Sequence, residues 1–148
     1  MQMKLTPYLM FFNGDCREAF DFYAGALGGQ IILRVTYGDM PTDPSQPPLP
    51  EEAKSQLAHV NLLVGEASIM GGDSIMGCGG SEKIDGRNDT TVNIEVDTVE
   101  EAERVFAAMS AGGKVQMPLM ETAWSQRFGM FTDRYGKPWM VNCNKPML

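Results

Sequence analysis

The chain says the same thing twice. Residues 5–12 are apolar and aromatic and read as a strand. Asn13-Gly14-Asp15 breaks it, and Asp15 with Glu18 three positions on resembles a capping box that starts a helix. Ala19, Phe20, Tyr23 and Leu27 share one face of that helix, Gly28-Gly29 stops it, and residues 30–37 are extended again. The second half repeats the grammar. Residues 90–96 alternate apolar and polar, and Thr98 with Glu101 has capping-box spacing. Val99, Ala102, Val105, Phe106 and Met109 make an apolar stripe, Gly112-Gly113 ends the helix, and residues 114–117 resume a strand. Asp15 to Gly28 is 13 positions and Thr98 to Gly112 is 14, so the two halves match in length as well as in order.

Each half adds a hairpin. Residues 57–64 turn at Gly65-Glu66 into residues 67–71, and residues 128–132 turn through residues 133–136 into residues 138–143. The expected unit is therefore βαβββ, present twice: module 1 over about residues 4–72, a glycine-bearing linker over 73–89, and module 2 over about 90–144. A length of 148 residues holds these as one domain with its own core. A second irregular stretch, residues 38–56, carries five of the nine prolines and is long enough to be a lid or a mobile segment.

Composition narrows the function. Lys and Arg number 12 against 19 Asp and Glu, a net charge of −7, which argues against a nucleic-acid or anionic-membrane surface. No apolar run is long enough to span a bilayer, and the first residues lack the apolar stretch of a secretory signal. Cys16, Cys78 and Cys143 match no metal or redox spacing and read as reduced thiols of a cytoplasmic protein. His59 is the single histidine, so no two-histidine metal site can form within one chain. Gly77-Cys78-Gly79-Gly80 has no following Lys-Ser or Lys-Thr and is not a phosphate loop.

The duplicated unit resembles the glyoxalase/bleomycin-resistance/dioxygenase, or vicinal oxygen chelate, superfamily. The wording at both ends is similar to its PhnB-like branch: Pro7 to Gly14 with Cys16 to Phe20, and Glu121 to Trp124, Phe128-Gly129, Asp133 to Gly136 and Pro138 to Asn142. The resemblance implies an α+β fold in which two βαβββ modules form a cup-shaped mixed sheet, with helices on the outer faces, a small-molecule pocket on the inner ones, and a homodimer. In metal-dependent members, equivalent strand positions supply His and Glu ligands. Here those positions hold Tyr8, Ser68 (with Asp73 just beyond), Thr91 and Met140, a poor donor set for a divalent ion. No metal is therefore expected. Methyl transfer, a label attached to PhnB-like relatives, needs a cofactor site that Asn13-Gly14-Asp15 does not make, so no cofactor is expected either.

Alternation assigns the pocket face. Val60, Leu62 and Val64 should meet a helix, leaving His59, Asn61 and Leu63 inward. Val92, Ile94 and Val96 leave Thr91, Asn93 and Glu95 inward, and Trp139, Val141 and Cys143 leave Met140 and Asn142. With Tyr8 and Met10 from the first strand and Trp124, these give nine candidate ligand residues: Tyr8, Met10, His59, Asn61, Asn93, Glu95, Trp124, Met140 and Asn142. His59 and Glu95 are the candidates for acid–base work. Each has a bland alternative: a structural histidine, a solvated carboxylate, a tyrosine bonded to the backbone, a tryptophan plugging an edge. The resulting expectation is a metal-independent small-molecule binding protein. The competing reading is an enzyme of the same superfamily (lyase, isomerase or dioxygenase-like) with a metal on unusual ligands such as His59, Glu95 and Asp73. A dimeric scaffold with a vestigial pocket is a further alternative.

Overall fold

A computed structural model describes residues 3–42, 44–75 and 90–146. The chain divides into two compact units, Met1–Ile84 and Asp85–Leu148. The first runs β1 (Tyr8–Phe11), α1 (Cys16–Leu27), β2 (Gln30–Thr36), β3 (Leu57–Val64) and β4 (Ala67–Asp73). The second runs β5 (Val92–Val96), α2 (Val99–Ser110), β6 (Lys114–Met120), β7 (Ser125–Thr132) and β8 (Pro138–Asn144). Strand order is β1-β4-β3-β2 in one sheet and β5-β8-β7-β6 in the other. In each, the first strand lies parallel to the last and the remaining pairs are antiparallel. The two halves thus share one topology, an α+β arrangement of two four-stranded mixed sheets, each with its own helix, as the repeat requires.

Each helix lies on one face of its own sheet, and the alternation in the strands selects that face. Cys16, Ala19, Phe20, Tyr23 and Ala26 are the buried stripe of α1, against Val60 and Leu62 of β3. Ala102, Val105 and Met109 are that of α2, against Trp139 and Val141 of β8 and Phe131 of β7. A glycine in each sheet receives a helix phenylalanine. A Cβ on Gly71 would lie 2.7 Å from the Phe20 ring, and one on Gly129 would lie 2.6 Å from the Phe106 ring. The edge strands β2 and β6 carry register shifts, which breaks the regular ladder at these edges.

Several expectations need correction. The first strand begins at Tyr8 rather than at position 5, and Leu5 is 91% exposed. β2 stops at Thr36, because Thr36 and Asp39 form a capping box around a 3₁₀ turn that takes up Tyr37. β5 begins at Val92, so Thr91 stands just before the sheet. Asp15 makes no side-chain cap: its backbone (φ −106°, ψ 19°) is not extended, and the first amide of α1 is bonded from elsewhere. β4 runs on to Asp73, which is therefore a strand residue and not the start of the linker. Cys78 and the glycine-rich stretch beginning at Gly77 lie outside the described residues. Among the described residues, no helix is long and apolar enough to cross a membrane.

Candidate functional site

With a helix on one face, each sheet leaves an opposite, open face, and the candidate residues lie there. In the first unit Tyr8 of β1 is in register with Met70 of β4, which is in register with Asn61 of β3. His59 is two residues before Asn61, on the same face of β3. The Tyr8 and His59 rings stack, with centroids 5.6 Å apart and planes at 29°. The Tyr8 hydroxyl lies 3.2 Å from His59 Nδ1 and 3.3 Å from the Ala58 carbonyl, both at the long end for a hydrogen bond. Its one proton serves one acceptor at a time. Partial burial, with a smaller push from the Cys16 thiol, raises the Tyr8 phenol above its ordinary range, so it remains a donor at neutral pH. Among the described residues, Asn61 Oδ1 is buried without a hydrogen-bond partner. Tyr8 (45% exposed) and Met10 (37%) leave the β1 side of this face open.

The second unit's open face is wired differently. Asn142 of β8 is in register with Glu95 of β5 on one side and Phe128 of β7 on the other. Ser125 Oγ donates to Asn142 Oδ1, and Asn142 Nδ2 donates to Asn144 Oδ1 at 2.6 Å. Asn144 Nδ2 in turn donates to Glu95 Oε1 at 2.9 Å. Every donor in this four-member chain points toward the carboxylate. Its inner end, Ser125 and Asn142, is buried, where such bonds reinforce one another, and its outer end delivers one N–H to the exposed Glu95 carboxylate. One row along, Asn93 and Met130 flank Met140 in register. Trp124 is 58% exposed and meets Phe128 edge to face, at 5.6 Å and 70°.

Thus the structure brings Tyr8 and His59 into contact and places Asn61 and Met10 on their sheet. It links Glu95 to Asn142, and sets Asn93 and Met140 beside them. Four residues of the second face were missed: Ser125, Phe128, Met130 and Asn144. Asn144 was findable, since it follows Asn142 by two positions and a strand has period two. Ser125 was not, because a register shift between Ser125 and Arg127 changes the face that simple alternation assigns.

Asp73 is not available as a ligand. It is 1% exposed; Oδ1 accepts the Cys16 amide at 3.0 Å and Oδ2 the Leu57 amide at 2.9 Å. Burial pushes its carboxyl above the usual carboxylate range, against the pull of those two N–H donors. Asp133 is likewise structural: it accepts the Tyr135 and Lys137 amides and the Trp139 indole N–H. Among the described residues, no group of three or more His, Cys, Asp or Glu is placed to hold a metal ion. Tyr8, Ser68, Thr91 and Met140, the positions to which the resemblance assigns metal ligands, present phenol, hydroxyl and thioether groups, a donor set that does not fit a divalent ion. A cavity of ≈ 500 Å³ opens at the start of α1, between Asn13, Asp15, Arg17, Ser55 and Gln56, and none of the nine candidate residues lines it.

A twice-built βαβββ chain with polar groups gathered on its open sheet faces defines a class, and the family comparison agrees. The model of the Glyoxalase/Bleomycin resistance protein/Dioxygenase superfamily matches residues 6–141, and the chain belongs to that superfamily. Among individual proteins it is similar to Protein YjdN of Escherichia coli, 33% identical over 97% of both chains. It is also similar to protein PA1353 from Pseudomonas aeruginosa, whose crystal structure superposes with a TM-score of 0.82 at 39% identity, covering 98% of this chain and 100% of that one. The PhnB protein from Bacillus cereus shares the fold: TM-score 0.70, 23% identity, 95% of this chain and 99% of that one.

Proposed function

We propose that this protein, a member of the PhnB-like branch, binds a small organic molecule on its open sheet faces without a metal ion. The observation that carries the reading is the state of the three groups a metal would have to use. Asp73 has both oxygens committed to backbone amides under α1. Glu95 and His59 each make one hydrogen bond, to Asn144 and Tyr8, and among the described residues neither belongs to a group of three or more His, Cys, Asp or Glu that could hold an ion. What remains on the faces is a mixture of amides, methionines and aromatic rings, the usual composition of a small-ligand site. The family resemblance further supports a homodimer. Cys16 and Cys143 are buried and outside any disulfide, which supports a reducing, cytoplasmic setting.

The test is metal analysis of protein purified without chelator, joined to a thermal-shift screen with divalent metals and small planar compounds. A ligand of the native state raises its apparent stability by mass action. Metal at well below one equivalent, no shift with metals and upward shifts with planar apolar compounds are expected. A tightly held stoichiometric metal would favour the enzyme reading and sink this one.

A further inference from the structure

The second unit's open face is graded from apolar to acidic, and the gradient points to a ligand class. On the β7 side stand Trp124 and Phe128, two rings at 70° that form a corner, with Met130 in the next row. On the β5 side stands Glu95. Phe128 and Glu95 sit on strands separated by β8 alone, so two interstrand steps, roughly 10 Å of backbone spacing, lie between them. Asn142 fills the middle and is itself spent on Ser125 and Asn144.

The acid at the far end is the unpaired member of its neighbourhood. Only Oε1 of Glu95 is engaged, by the Asn144 amide, and Glu95 has no cationic partner among the described residues. Lys145, next to Asn144 in sequence, pairs with Glu121 at 2.9 Å, and Arg127 faces Glu103 of α2 at 3.9 Å. An exposed carboxylate with one oxygen on the Asn144 amide and the other open is a receptor for an N–H donor that carries positive charge. A corner of aromatic faces favours the flat body attached to such a cation, and attracts the cation itself. Methionines give an adaptable floor. The chain's charge of −7 favours cations at long range.

We infer that this face takes a small organic cation: a protonated amine joined to a flat apolar group, with its nitrogen at Glu95 and its ring against Trp124 and Phe128. The inference deepens the small-molecule reading above and rests on it. It is tested by calorimetric titration of the full chain with three probes of one shape: 1-naphthylmethylamine (cationic), 1-naphthalenemethanol (neutral) and 1-naphthoate (anionic). The amine is expected to bind at least tenfold more tightly than the alcohol, and the anion more weakly than either. Glu95→Gln keeps the acceptor for Asn144 and should abolish the amine's advantage while leaving alcohol binding within twofold. Trp124→Ala should weaken amine and alcohol together. Equal binding of the three probes, or an amine preference that survives in Glu95→Gln, overturns the cation inference but leaves small-molecule binding standing. Binding of none of the three overturns both.

Discussion

The two units share a topology and solve the same problem by different means. In each, the last residue of the first strand is paired with a residue near the end of the closing strand, just below the start of the helix: Phe11 with Asp73, and Val96 with Cys143. In the first unit that place holds a buried carboxylate that caps α1 from the sheet and ties down the first amide of β3. In the second it holds a buried thiol, and the helix caps itself: Thr98 Oγ1 accepts the Glu101 amide at 3.1 Å. Where the local cap works, no buried charge is needed. Where the residue before the helix has the wrong backbone angles, the sheet supplies the acceptor. The cost is a carboxyl group desolvated beneath a helix.

That contrast predicts the largest effect. Asp73→Ala leaves two buried amides without acceptors, for a loss of roughly 2–6 kcal/mol at about 1–3 per orphaned group, measured by urea unfolding. Cys143→Ala removes no hydrogen-bond acceptor from a helix start and should cost less. The acid side sharpens the point. Because burial raises the Asp73 carboxyl, the folded state keeps its proton at pH values where the unfolded chain, near 3.8, has released it. Its contribution is full below that value and falls as the pH rises through the folded one. The stability gap between the native chain and Asp73→Asn should therefore narrow from pH 4 upward. A gap that widens over that range would contradict the raised carboxyl.

The helix caps give the next effect down. Thr98→Ala should cost about 1 kcal/mol, while Asp15→Ala at the matching place in the first unit should stay within about 0.5 kcal/mol. Equal losses at the two positions would mean that Asp15 does cap α1 in solution.

The same pair shows what could be read in advance. Thr98 and its partner amide are three residues apart, so sequence spacing finds them; Asp73 and Cys16 are 57 apart, and only the closed sheet brings them together. The repeat, the strand faces and the helix stripes were legible because each is a local period imposed by burial on one side. Hence Val60, Leu62, Trp139 and Val141 fall on the helix side as alternation requires. The polar wiring of the second unit's open face was legible in two of its four members and not in its connection. Glu95 and Asn142 were both named, yet their link runs through Asn144, and its far end depends on a register shift beside Ser125. A register shift is a tertiary compromise that leaves no mark in residue type.

The smallest effect separates the two open faces. In the second, Ser125 and Asn142 are buried, so water does not compete for the inner bond of their chain. In the first, the Tyr8–His59 pair is long and Tyr8 is 45% exposed, so water can replace either partner when one is removed. Tyr8→Phe keeps the ring that stacks on His59 and deletes only the hydroxyl. The loss should be about 0.5 kcal/mol, the low end for a hydrogen bond. The ring nitrogen NMR shifts of His59 would report the missing partner even where unfolding curves barely move. A loss above about 2 kcal/mol, the range of an unsatisfied buried group, would show that the pair is sealed from solvent. The first face would then resemble the second, with a closed polar network in place of an open one.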